Sequence, residues 1–277
     1  MSPRDFKFLM SLIIILVAVQ LPVFHLNLDS STYLSVFSLL FAILIGFFIA
    51  TATTNYLRLQ TLIAEEDASL ITISNLVKNI SPQATGVVEE AIDDYAIAAL
   101  SFEMIDYVTK TYQEFEDLSK AIDAVSPNND KGLQLIQSLH DKKNALYQTR
   151  QEIALVARRI VTPGHWVVVI SLGSLIGFLV LALRDGGLIS TIISGVLLTT
   201  IYLVLTLLNE VDNNRFLEQA LSYQNSQQIF RAIGRPPYYV EDVIESGRVD
   251  KPKTSYRTGY YKSPSDKDIR LIDPAVR

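Results

Sequence analysis

Cysteine is absent from the 277-residue chain, which excludes disulfide staples and thiolate metal sites. Histidine is scarce: His25, His140 and His165 are too few and too scattered to read as a metal cluster. No nucleophile elbow, phosphate-cradling glycine loop or repeated E-x-x-H pattern occurs, so the chain is not read as an enzyme and no cofactor is expected. An excess of positive charge is lacking too. The net charge is −5, the wrong sign for a phosphate backbone, so nucleic acid is not expected as a partner. Charge is missing altogether from residues 33–53, 166–183 and 188–208, which disfavours proton-coupled transporters and voltage sensors, both of which need ionisable groups inside the membrane.

What fills those stretches is apolar. Hydrophobic residues make up 49% of the chain and charged residues 19%, and the apolar excess is concentrated in segments rather than spread. A membrane-spanning helix needs about 20 apolar residues. Four segments qualify: Phe8–Leu26, Tyr33–Thr53, Trp166–Leu183 and Leu188–Leu208. The first also fits the start of a signal peptide, but its apolar run continues to Leu26 with no small-x-small cleavage site after it. Arg4 and Lys7 precede the first span, Arg58 follows the second, Arg150, Arg158 and Arg159 precede the third, and Arg215 follows the fourth. The connections "NLDSST" and "RDGG" hold one basic residue between them, Arg184. Basic residues mark the cytoplasmic side. The expected protein is therefore an all-α integral membrane protein with two transmembrane hairpins and both termini on the cytoplasmic side of a cell or organelle inner membrane.

The expected divisions are 1–55 for the first hairpin, 56–165 for a helical cytoplasmic domain, 166–208 for the second hairpin, 209–235 for an amphipathic helix and 236–277 for an extended or flexible tail. Leu62, Leu70, Ile73 and Leu76 recur at helical spacing beyond the second span, which predicts one long helix running to Ser81-Pro82. A second helix is predicted over Gln83–Ala124 with a buried stripe of Val87, Ala91, Tyr95, Ala98, Phe102, Ile105 and Thr109, and a third over Gly132–Ile160. Thr162-Pro163-Gly164 then interrupts the chain before Trp166, a residue suited to the headgroup level.

Two acidic groups stand out. Glu65, Glu66 and Asp67 follow the second span by about three turns, where charge is compatible with water; a solvated or salt-bridged helix face is the plain reading. Glu89, Glu90, Asp93 and Asp94 place Glu89 with Asp93 and Glu90 with Asp94 one turn apart. Such a pair could bind a divalent cation only with further oxygen ligands, so the metal question stays open. In a ring of subunits these carboxylates would form an acidic vestibule that concentrates cations.

The spans carry polar stripes. Ser35, Ser38, Ala42, Gly46, Ala50 and Thr53 line one face of the second. Thr191, Ser194, Thr199, Tyr202, Thr206 and Asn209 line one face of the fourth. Small and hydroxylated residues let membrane helices pack closely and bond to each other, and on the inner wall of a ring they would line an ion path. In the tail, "PPYY" fits a short peptide for WW-type domains, and Tyr238, Tyr239, Tyr256, Tyr260 and Tyr261 fit anchors on a neighbouring surface.

Taken together, "EEDASL" after two spans, "VVEEAIDDYA" further on, "RRIVTPGHW" before the third span and "VDNNRF" after the fourth resemble the bestrophin-like membrane proteins. Glu65, Glu66, Ala68 and Leu70 carry the first element and Asp94-Tyr95 the second, and the likeness runs from Leu34 to Phe230. The resemblance implies a four-span helical protein assembled as a homo-oligomeric ring in the lipid bilayer and conducting ions, as the pentameric, calcium-gated bestrophin anion channels do. Their acidic calcium-binding run has no counterpart in "NEVDNNRFLEQ", so calcium gating is not implied. The competing reading is a non-conducting membrane scaffold or sensor that recruits partners through its cytoplasmic helices.

Overall fold

The computed structural model describes residues 10, 13, 30–102, 106–158, 161–212, 222–245, 247, 249–250 and 252–274. Its elements run α1 (Ser30–Ile80), α2 (Thr85–Ser101), α3 (Tyr107–Lys110), α4 (Tyr112–Asp123), α5 (Asp130–Val156), α6 (Pro163–Ala182), α7 (Leu188–Asp212), α8 (Ser222–Ala232), β1 (Tyr238–Val240), α9 (Glu241–Glu245), β2 (Tyr256–Ser263) and β3 (Asp266–Ile272). The described residues fall into two compact units, within Met1–Thr54 plus Arg159–Asn213 and within Asn55–Arg158 plus Asn214–Arg277. α1 contributes its first half to one unit and its second half to the other.

The apolar unit contains stretches of α1, α6 and α7, the helices that are long and apolar enough to cross a membrane among the described residues. The span expected at 8–26 and the connection after it lie outside those residues, apart from Met10 and Ile13. Thr162 caps α6, its side chain accepting from the backbone N–H of His165, and Pro163 at the first helical position has no N–H to leave unpaired. α6 and α7 pack through glycine: a Cβ on Gly177 would lie 3.0 Å from Leu198, and one on Gly173 3.3 Å from Ile201. Phe41, Ile45, Phe48, Val169, Ile176 and Leu208 form the core of this unit. The buried Asp212 at the end of α7 accepts from the backbone N–H of Val161 at 2.9 Å, tying the approach to α6.

In the second unit α1 ends at Ile80, ahead of Ser81-Pro82, where the sequence predicts it. The Ile80 carbonyl, orphaned there by helix termination, accepts from the N–H of Asn128 at 3.2 Å. α5 begins on an Asn129 cap that accepts from Gly132 N at 2.7 Å, two residues earlier than expected, and ends at Val156 rather than near 160. The core gathers Leu59, Leu62, Leu70, Ile73 and Val77 of α1 with Val88 and Ile92 of α2, Leu118 and Ile122 of α4, and Leu139, Leu146 and Ile153 of α5.

Four expectations are corrected here. The single helix over 83–124 is broken at Ser101–Phe102 into α2, α3 and α4; of its expected stripe Tyr95 and Ala98 are buried, with Val88 and Ile92 beside them, while Val87 and Thr109 are exposed and Ile105 lies outside the described residues. Tyr95 and Tyr107 both reach one carboxylate, which a straight helix would forbid, since twelve residues span about 18 Å of helix axis. The segment 209–235 is not one helix: 209–212 complete α7 and 222–232 form α8, with Phe216, Leu217 and Leu221 outside the described residues. The described part of the tail forms three paired strands, so the fold is not purely helical: β1 pairs parallel with β2, and β2 antiparallel with β3. Tyr238 is fully buried in β1 and part of the core, and the other three residues of "PPYY" are half-buried, so the stretch is not a free peptide.

Strand β2 needs glycine at one position. Gly259 has φ +154, and a Cβ there would come within 1.8 Å of the Asp268 carbonyl oxygen on β3. Gly259→Ala is expected to break the β2–β3 ladder while leaving the helices formed. Limited proteolysis in detergent should then remove the C-terminal segment at least ten times faster than from the unaltered chain, a factor that corresponds to about 1.4 kcal/mol of local opening.

Candidate functional site

The inward stripe of α1 runs Leu59, Leu62, Ile63, Glu66, Asp67, Leu70, Ile73, Ser74 and Val77, all buried. Steps of three and four residues keep that stripe on one face, and they turn Glu66 and Asp67 inward while Glu65 stays exposed. The plain reading of a solvated acidic face is therefore wrong for two of the three carboxylates. The stripe itself was the signal: the carboxylates occupy core positions of an uninterrupted pattern.

Around Glu66 stand residues from three other helices. Tyr95 of α2 and Tyr107 of α3 both donate their hydroxyls to Glu66 Oε1, the latter at 2.5 Å. Arg150 of α5 donates through Nη1 to the Tyr95 oxygen, and to Thr111 Oγ1 at 3.1 Å, and through Nη2 to the Val108 carbonyl at 3.2 Å. Its guanidinium lies 4.2 Å from the Phe115 ring centre, 5.0 Å from Tyr95 and 5.3 Å from Tyr107. Burial pushes the Glu66 carboxyl above its ordinary range, against the pull of Arg150 and the two phenols. Burial, and then the nearby Glu66, hold both tyrosines well above the usual phenol value, so they remain neutral donors. Burial also opposes the Arg150 charge, but the phenols and Glu66 outweigh it and the guanidinium stays charged. This is a closed acid–phenol–guanidinium network with a cation–π box behind it.

Asp67 has a poorer environment. Its partner is the Ser226 hydroxyl of α8, which donates at 3.1 and 3.4 Å to the two carboxylate oxygens. Burial, and next the neighbouring Glu66, raise its pKa to about 7. Glu66, Asp67, Tyr95, Tyr107 and Ser226 line a cavity of about 30 Å³, room for one or two water molecules.

The second acidic group meets cations instead of forming an open cluster. Arg257 of β2 forks onto Asp93 at 2.6 and 2.7 Å, and Lys267 of β3 reaches Asp94 at 2.8 Å. Glu89 is held by Lys78 at 2.8 Å and by Ser74 at 2.9 Å. Glu90 is exposed. Both oxygens of Asp93 and one of Glu89 are thus engaged by this chain's own donors. Glu114 accepts from Tyr261 of β2. Sequence reasoning missed Tyr107, Arg150, Ser226, Arg257 and Glu114. In the sequence Arg150 reads only as a charge flanking a span, although it extends the buried α5 stripe of Leu139, Leu146 and Ile153.

The two polar stripes differ. On α7, Ser194 is buried, Thr191, Thr199, Tyr202 and Thr206 are half-buried, and Thr206 donates to the Tyr202 carbonyl at 2.8 Å. On α1, Ser35, Ala42, Gly46, Ala50 and Thr53 are exposed and Ser38 half-buried, and no atom lies within 4 Å of a Cβ placed on Gly46.

Removing Arg150 would leave Glu66 buried without its cation. Arg150→Met is expected to cost about 3–5 kcal/mol, read as a lowered thermal midpoint of the purified protein in detergent. Because Glu66 then takes up a proton more readily in the folded state than when unfolded, the deficit should be largest at pH 8 and smaller at pH 5. Adding Glu66→Gln to Arg150→Met should recover stability at pH 8.

No curated protein matches the chain. Among solved structures, two variants of a bacterial bestrophin homologue from Klebsiella pneumoniae align with TM-scores of 0.60 and 0.59 at 13% and 14% identity. Each alignment covers 84% of this chain, and 100% and 98% of the respective neighbour. A third structure of the homologue from that organism aligns at a TM-score of 0.56 with 11% identity, over 84% of this chain and 99% of the other. Identity this low establishes a shared fold. A model of the Bestrophin-like domain matches residues 9–214, well over half the sequence, and the chain belongs to that family.

Proposed function

We propose that this protein is an ion channel: a ring of identical subunits, each crossing the membrane four times in two hairpins with both termini and the 56–165 domain on the cytoplasmic side. The observation that carries the reading is the small-residue face of α1. Ser35, Ala42, Gly46, Ala50 and Thr53 are exposed on one protomer, while Phe41, Ile45 and Phe48 turn into its core. A single helix cannot enclose a path, so a water-accessible conduit needs several copies of this face around an axis. The absence of charge across residues 33–53 suits a passive pore better than a coupled transporter. Family membership and the shared fold support the same conclusion.

The α7 stripe of Thr191, Ser194, Thr199, Tyr202 and Thr206 serves packing in this scheme, because it is buried or half-buried within the protomer. The cytoplasmic vestibule draws its charge from Glu65 and Glu90, the two carboxylates that stay exposed, since Glu66 and Asp67 are buried and Glu89, Asp93 and Asp94 are paired. No catalytic step is assigned to any residue.

Purified protein in planar bilayers under asymmetric salt tests the proposal. Current is expected, with Gly46→Leu lowering unitary conductance at least tenfold and Thr206→Val leaving it unchanged. Glu65→Gln with Glu90→Gln should shift the reversal potential towards anions. No current from folded, inserted protein would overturn the channel and leave the scaffold reading in its place.

A further inference from the structure

Glu66 and Asp67 line the same cavity of about 30 Å³, together with Tyr95, Tyr107, Ser226 and Ile229. They are 5% and 8% exposed. The phenols of Tyr95 and Tyr107 both bond to Glu66 Oε1, and among the described residues no donor reaches Oε2. A buried carboxylate oxygen without a donor is costly unless a ligand meets it. The charges do not balance either. Arg150 brings one positive charge against two carboxylates, and its hydrogen bonds go to the Tyr95 oxygen, Thr111 and the Val108 carbonyl. No basic side chain lines the cavity among the described residues. Ser226 donates to Asp67, which eases that charge without cancelling it. With both acids ionised, one negative charge is left in a space walled otherwise by apolar side chains, where an unpaired ion is poorly tolerated.

What would cancel that charge follows from the donor set. The polar side chains on the wall present carboxylate and hydroxyl oxygens, the ligands of a hard cation. Ca²⁺ takes about six to eight oxygens and Mg²⁺ keeps several of its waters, more than a cavity with room for one or two water molecules can hold. One monovalent ion suits both the volume and the surplus charge. We propose that the cavity is a cation site, in which a monovalent metal ion of the size of Na⁺ is held by Glu66 Oε2, the Asp67 carboxylate and the Ser226 hydroxyl oxygen. The ion meets the side of Glu66 that the phenols leave open and joins α1 to α8. Helix α8 is anchored in any case by buried Ile229 and Phe230 and by Gln227 on Tyr238, so losing the ion lowers stability without freeing the helix. The inference stands whether or not the ring passes current.

The thermal midpoint of the full-length protein in detergent reads the site directly. At about pH 8, where free carboxyls are ionised, N-methylglucamine chloride is exchanged for NaCl at constant ionic strength. The midpoint should rise with Na⁺ and saturate, by about 5 °C once Na⁺ exceeds its dissociation constant 100-fold. Asp67→Asn, similar in shape and neutral, should abolish the rise and be more stable than the parent in N-methylglucamine. Ser226→Ala should need about threefold more Na⁺, or above, for half the effect. Asp141→Asn, which removes an exposed carboxylate from α5, should leave the response intact. Equal midpoints in the two salts for the parent would overturn the site, leaving a proton or water to serve the two acids. So would an undiminished response in Asp67→Asn or, where that variant does not fold, in Ser226→Ala.

Discussion

A carboxylate taken out of water must be met by donors, and Glu66 is met by groups from three other helices. α1 supplies the acid, α2 and α3 one phenol each, and α5 the guanidinium. Helices α1, α2 and α5 each have their own apolar stripe, and apolar contact alone tolerates sliding. The directional bonds to Glu66 remove that freedom, because an unmet buried charge costs several kcal/mol while a shifted methyl costs far less. The break at Ser101–Phe102 follows from the same demand, since two phenols twelve residues apart must converge on one oxygen.

The C-terminal sheet answers a second electrostatic demand. Residues 56–165 hold sixteen acidic and ten basic side chains, and the strands return cations to that excess. Arg257 lies under Asp93 in a buried bidentate pair and is backed by the Phe230 ring, 5.1 Å away. Gln227 pairs with both the N–H and the carbonyl of Tyr238, joining α8 to β1 as a strand would. The tail is thus a neutralising lid over α2, built from a segment whose own composition is too polar to fold alone. In the apolar unit close approach at Gly173 and Gly177 brings the helices together.

Two neighbouring acids of α1 meet burial in different ways. Glu66 sits in a network of two phenols and a guanidinium that joins the helices of the bundle. Asp67, one residue along the same helix, shares the burial but receives one hydroxyl. The difference arises from 100° of helical rotation, which turns one acid towards α2, α3 and α5 and the other towards α8.

Much of this protein is written in short stretches. Apolar runs long enough for a bilayer and the stop at Ser81-Pro82 depend on neighbouring residues alone, so the sequence by itself determined that α1, α6 and α7 form, where α1 ends and the family likeness. The fate of the carboxylates was decided elsewhere. Glu66 and Arg150, Asp93 and Arg257, and Asp67 and Ser226 lie 84, 164 and 159 residues apart, and no local pattern announces which acid will meet which donor. The strands of the tail depend in the same way on pairing across the chain. Helix formation is a local balance of backbone and side chain, whereas burial of charge is a bargain between distant residues, and only the tertiary structure settled it.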